Sequence, residues 1–172
     1  MYTKQDLCSM ALLKLGEEPI QSFQDDTVSA KISRTLFDSV IDTLIALHPW
    51  HFATSELTLT KNSEGTFIVP SNILRIFKTS GKIIGNQIYS DCDTVSIVAI
   101  MRTAPESFPS YFASLSATRL AMEFCVPLLG DQTLFRTLAA LYETELQTAK
   151  FIDSTISVST GPTDFSLISA RF

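Results

Sequence analysis

The sequence is short of charge, glycine, cysteine and tryptophan, and each shortage removes a class of protein. Charged residues make up 18% of the 172 positions, below the roughly 25% of an ordinary soluble chain. With 45% of the chain hydrophobic, a strongly solvated, disordered polymer is excluded. Cations are the scarcer sign: 13 Lys and Arg against 18 Asp and Glu leave −5. They are scattered, so no cluster can neutralise a row of phosphates, which excludes a tight nucleic-acid binder. A surface past which DNA slides is not excluded. The three cysteines, Cys8, Cys92 and Cys125, lie far apart with no CxxC pair, which fits reduced thiols better than a disulfide framework. The six glycines are isolated turn markers, and no P-loop, GxGxxG or GxSxG is present. No stretch approaches the ~20 apolar residues of a membrane span. The apolar run from Leu7 to Leu13 follows Asp6 and precedes Lys14 and Gly16-Glu17-Glu18, where a signal peptide would carry small cleavage-site residues. A soluble, non-exported protein is expected.

Against these shortages stand twelve phenylalanines, enough apolar material for one sizeable core and for surfaces that meet other protein. Thr3, with Asp6 three residues on, predicts a capping box for a first helix buried through Leu7, Met10, Ala11 and Leu15, ended by Gly16 and Pro19. Asp25 or Asp26 is the expected cap of a long amphipathic helix whose stripe runs Val28, Ile32, Leu36, Val40, Leu44, widened by Phe37, Ile41 and Ile45 and stopped by Pro49. From Ser55 the period changes to two. Leu57 and Leu59 alternate with polar neighbours, residues 61–65 read as a hairpin loop, and short segments follow to Arg102. About five short strands in one sheet are expected. Helical spacing returns after Pro105 and Pro109, closes at Pro127, and resumes from Asp131 to about Ile152. The predicted class is mainly α with an inserted small antiparallel β-sheet (α+β): a four-helix bundle core plus an extended C-terminal arm. Residues 1–154 form the single domain, with helices at about 3–15, 26–48, 109–127 and 131–152 and a β insertion at about 55–102; residues 155–172 form the arm. The arm is poor in charge, broken by Gly161-Pro162, yet carries Ile156, Val158, Phe165, Leu167, Ile168 and Phe172. Such a segment orders on a neighbour rather than around its own core.

Candidate chemistry is sparse. His48 and His51 are three apart, but Pro49 breaks the helix between them and a metal needs convergent ligands. Asp91-Cys92-Asp93 sits on a turn, where side chains diverge. The structural reading of Pro49, Trp50 and Phe52 is a corner filling the core under the sheet. The carboxylate pairs Glu17-Glu18, Asp25-Asp26 and Glu143/Glu145 fall at helix ends or on polar faces, where capping and solvation account for them. No catalytic residue, cofactor or metal is expected.

Several segments, in order, resemble the tail tubular protein A family, head–tail adaptors of tailed bacteriophages. Residues 11–20 (Ala-Leu-Leu-Lys-Leu-Gly-Glu-Glu-Pro-Ile), then Pro49-Trp50-His51-Phe52-Ala53, are similar to the family's opening. Residues 67–76 resemble its strand–Pro–Leu–Arg segment, and residues 85–91 its glycine-led turn and short strand. The stretch from Phe108 through Pro127 to Gly130 resembles its third helix, and residues 167–172 its closing apolar–Ala–Arg tail. The family's usual tryptophan in the last segment is absent, with Phe165 or Leu167 in its place.

The resemblance implies a virion structural protein made in the host bacterial cytoplasm. Twelve copies would form a homo-oligomeric ring beneath the portal protein, extend the DNA channel without specific DNA binding, and give tail and neck proteins a platform. It also implies that the arm, through Ile156, Val158, Phe165, Leu167, Ile168, Arg171 and Phe172, docks on the portal or a neighbouring copy. Two alternatives stay open: another neck or tail subunit such as a tail terminator, and a small-molecule-binding or catalytic domain around His48, His51 and Asp91–Asp93.

Overall fold

A computed structural model describes residues 1–157. The class is α+β, with four α-helices and two small antiparallel sheets among the described residues. Helix α1 (Lys4–Lys14) opens on the capping box: the Thr3 hydroxyl accepts from the Asp6 N–H, and the Asp6 carboxylate accepts from the Thr3 N–H at 2.8 Å. Helix α2 (Val28–Leu47) is capped by Thr27, not by Asp25 or Asp26. Asp25 is occupied closing a turn on the Ser22 N–H, and Asp26 pairs with Lys31. Of its expected stripe, Val40 and Leu44 are buried together with Phe37, Ile41 and Ile45, and only Val28, in the first turn, is exposed, at 63%.

Helix α3 (Ser110–Leu129) does not close at Pro127. A proline in the final turn removes one amide from the ladder, and the helix runs on until Gly130, at φ 63°, caps it with its N–H on the carbonyls of Cys125 and Val126. Helix α4 (Gln132–Ser157) outruns the expected end at 152 and takes in residues 155–157, the expected start of the arm. Its buried stripe of Leu138, Tyr142, Leu146, Ala149 and Asp153 keeps helical spacing past that point. Helix α3 is the hub, packing against α1, α2 and α4. Its length and mean hydropathy of 1.3 would let it cross a bilayer, which corrects the expectation that no stretch approaches a span; most of it is buried inside this fold.

The expected single sheet is two, with six strands. One sheet takes the order β1–β6–β3 (Thr54–Thr60, Thr94–Met101, Ile73–Thr79), the other β2–β5–β4 (Phe67–Ile68, Gln87–Tyr89, Lys82–Ile84). Residues 61–65 are therefore not a hairpin loop, because β1 pairs with β6 and the chain crosses to the second sheet. Asn62 shapes that crossing: its side-chain oxygen accepts from the N–H groups of Glu64 and Thr66. The inner faces of both sheets share a small core of Phe67, Val69, Ile88, Val95, Ile97 and Ala99. The helices share a larger one, and Ile100 of β6 belongs to it.

Candidate functional site

Three regions hold the features that could carry function: the corner after α2, a cavity beside the N-terminus of α1, and a set of exposed apolar surfaces. The corner begins where Pro49 forbids further helix, and the chain turns with the Trp50 N–H on the His48 carbonyl at 2.8 Å. Trp50 is fully buried, and its indole N–H donates to the Leu44 carbonyl at 3.1 Å, satisfying an end-of-helix acceptor. Its ring meets Phe112 edge-on at 5.0 Å, while Phe52 lies 4.8 Å from Phe112 and 5.7 Å from Phe108. Trp50 and Phe52 thus pack on the start of α3 and the segment before it, in the core that Ile100 and Leu74 of the first sheet also join.

Asp153, in the last turns of α4, is 2% exposed and closes this corner. Its carboxylate accepts from the His51 N–H at 3.0 and 3.1 Å and from the Tyr111 hydroxyl at 2.6 Å, with His48 Nε2 at 3.8 Å. Burial pushes the Tyr111 phenol well up, and the neighbouring carboxylate pushes it further. Desolvation holds His48 below its ordinary range despite the opposing pull of Asp153. Nothing in the composition marked Asp153; its place at the end of the stripe Leu146, Ala149, Asp153 is the signal that could have found it. Glu145 was missed in the same way. It does not lie on a solvated face but accepts from Thr118 at 2.5 Å and stands 3.6 Å from the Lys14 ammonium, tying α1, α3 and α4 together.

A cavity of about 530 Å³ is bounded by α1, α2 and the segment after β6, with Lys4, Asp38, Asp42 and Arg102 on its wall. Lys4 pairs with Asp38 at 2.7 Å and Arg102 forks onto Asp42. These four charges are engaged with one another, and the exposed Glu106 completes the wall. Among the described residues no three His, Cys, Asp or Glu side chains converge as metal ligands. His51 is exposed and supplies only its backbone to Asp153, and Asp91, Cys92 and Asp93 lie exposed on their turn. Burial pushes the Cys8 thiol up to about 12 and raises Cys125 as well, so neither is a thiolate nucleophile at neutral pH.

The exposed surface carries more. The register places Ile68, Gln87 and Ile84 in one row and Tyr89 beside Lys82 in the next, on the outer face of the second sheet. Ile68, Ile84 and Tyr89 are each more than two-fifths exposed. An antiparallel sheet ordinarily turns polar residues to water, as the first sheet does with Glu56, Thr58, Ser96 and Lys78. On α4, Leu141, Ile152 and Ile156 follow one exposed stripe with Phe151, 70% exposed, beside it. Ile156 is thus the one arm residue within the described chain; Val158, Phe165, Leu167, Ile168, Arg171 and Phe172 lie outside the described residues. No family model matches the chain, and no curated protein matches it.

Proposed function

We propose that the protein is a structural head–tail adaptor of a tailed phage or phage-like particle, built as a four-helix bundle with a β insertion and a docking C-terminal arm. The observation that carries the reading is the order of the family-like segments along the chain. Residues 11–20 cover the end of α1 and the turn after it, residues 49–53 the Trp50 corner, and residues 67–76 the passage from β2 into β3. Residues 85–91 hold the turn into β5, and residues 108–130 span α3 and its glycine cap. The exposed apolar faces of α4 and of the second sheet support the same reading, because contiguous apolar surface on a soluble chain marks contact with other protein. In a ring of twelve, −5 per copy amounts to about −60, which repels a polyanion overall and suits passage rather than retention. On this reading the protein has no catalytic role.

The test is negative-stain microscopy of the full chain mixed with its cognate portal, beside a variant carrying Phe165→Asp and Leu167→Asp. A ring seated on the portal with the parent chain, lost with the variant, is expected. Failure of the folded parent chain to bind the portal would overturn the reading.

A further inference from the structure

The outer side of α4 carries an uncharged stripe. Leu141, Thr144, Thr148, Phe151, Ile152 and Thr155 follow one another at helical spacing, and all six are exposed. Among the described residues, Phe151 at 70% is the most exposed large apolar side chain after Met1. The threonines do not make the stripe polar. The Thr144 hydroxyl donates to the Ala140 carbonyl at 3.2 Å, Thr148 to that of Thr144 at 2.9 Å and Thr155 to that of Ile152 at 2.7 Å. Each donor is spent on the helix itself, so the stripe offers hydrocarbon from Leu141 to Thr155. It runs into the last turn of α4, which ends at Ser157. Residues 158–172 continue from that point and carry Phe165, Leu167, Ile168 and Phe172, with Asp164 and Arg171 as their only charged side chains.

We infer that residues 158–172 turn back onto this stripe of their own α4, as a cover that is lifted when another protein takes the segment. The sequence supplies the reversal, since Gly161-Pro162 is a turn-forming pair. Length agrees. The ten residues beyond Pro162 extend to about 33 Å, while the sixteen residues of helix from Ser157 back to Leu141 span about 24 Å. Phe165, Leu167, Ile168 and Phe172 thus come within reach of Phe151, Ile152 and Leu141. The tether selects the chain's own segment over a second copy's. A short linker holds the segment beside its helix at an effective concentration on the order of millimolar, which a second copy matches only when the protein itself is that concentrated. The order of charges fits a reversal too. Glu143 and Lys150 stand seven residues apart on α4, and neither is ion-paired among the described residues. A segment returning along the helix brings Asp164 past Lys150 before it brings Arg171 to Glu143. Capture and uncovering are then one event: a partner that binds Phe165 and its neighbours also bares the α4 stripe, and an apolar face that would otherwise promote aggregation stays hidden until then. The contact needs neither a portal nor a ring, so it stands apart from the adaptor reading.

The experiment is paramagnetic relaxation enhancement by NMR on the full chain, with a nitroxide on Ser169→Cys in a Cys92→Ser background and protein well below millimolar. Cys8 and Cys125 are buried and stay unlabelled. Loss of amide signal is expected at residues 141–155 of the chain that carries the nitroxide. In an equimolar mixture of spin-labelled chain and isotope-labelled chain, where only contacts between copies are read, those signals should persist. Phe151→Glu, at the most open position of the stripe, should restore the signals in the spin-labelled chain. Thr148→Glu serves in its place if the first variant melts early by circular dichroism. Signals at 141–155 that never weaken, or variants that lose them like the parent, would overturn the inference. Equal loss in the mixed sample would overturn it as well, by giving the stripe to a second copy. Failure of the portal test leaves this contact standing, and failure here leaves the adaptor reading standing.

Discussion

The Tyr111 hydroxyl donates to the Asp153 carboxylate at 2.6 Å across forty-two residues of chain, and that contact locks the two ends of the α3–α4 pair together. The same carboxylate holds the His51 N–H, so one buried side chain joins α3, α4 and the turn after α2. Removing it strands the two donors that meet at its buried carboxylate. Asp153→Ala is expected to cost about 3 kcal/mol and Tyr111→Phe about 1.5 kcal/mol, measured by urea denaturation at neutral pH.

Stability should depend on pH in two separate windows. His48 sits below its ordinary value of 6.5 in the fold, so the unfolded chain takes up the proton first and stability declines as the pH falls below about 6.5. Cys8 is raised from 9.0 to about 12, and Tyr111 is raised from 10.0. Their contributions are complete below the unfolded values and are lost as the pH climbs from 9 upward. Urea melts between about pH 5 and pH 10 should show a plateau from roughly 7 to 9. His48→Gln should flatten the histidine's share of the acid limb while leaving the alkaline one, and an unchanged acid limb would refute the assignment.

Gly81 lets β4 and β5 close together. A Cβ there would stand 2.5 Å from the Ile88 side chain and 2.8 Å from the Tyr89 carbonyl oxygen. Gly81→Ala should therefore destabilise the fold by about 1–3 kcal/mol, the usual range for overpacking. Hydrogen exchange should find the loss first at the amides of residues 82–89.

The Ser116 hydroxyl is buried in α3 without a hydrogen-bond partner. Replacing a stranded polar group with a methyl removes its desolvation cost and improves helix propensity. Ser116→Ala is expected to raise stability by up to about 1 kcal/mol, read as a higher urea midpoint with an unchanged slope. A lower midpoint would mean that the hydroxyl is satisfied.

Legibility followed the range of each interaction. The Thr3–Asp6 box and the stop at Pro49 are local, and both could be read from neighbouring residue types. Alternation gave the strands near residues 54–60 and 94–101, but strand pairing is set by side chains far apart in sequence. Phe67 meeting Ile88 in a second sheet had no local mark. Pro127 misled because a proline breaks a helix interior yet is tolerated where little helix remains. Glu145 was read by type as a solvated charge and Asp153 carried no local mark, whereas hydroxyls from another helix bond to both.

Strand β6 belongs to both cores: Val95, Ile97 and Ala99 face the small one, and Ile100 enters the helical one. It is also the middle strand of its sheet, hydrogen-bonded to β1 on one side and β3 on the other. A pull directed along β6 loads both ladders in shear, so many bonds share the force instead of yielding one by one. The sheet-bearing end is consequently a stiff lever rather than a hinged flap, and a push on its outer face is delivered to the helices through β6 and through β3, whose Leu74 packs on the helical core and whose Arg75 donates to the Ala46 carbonyl.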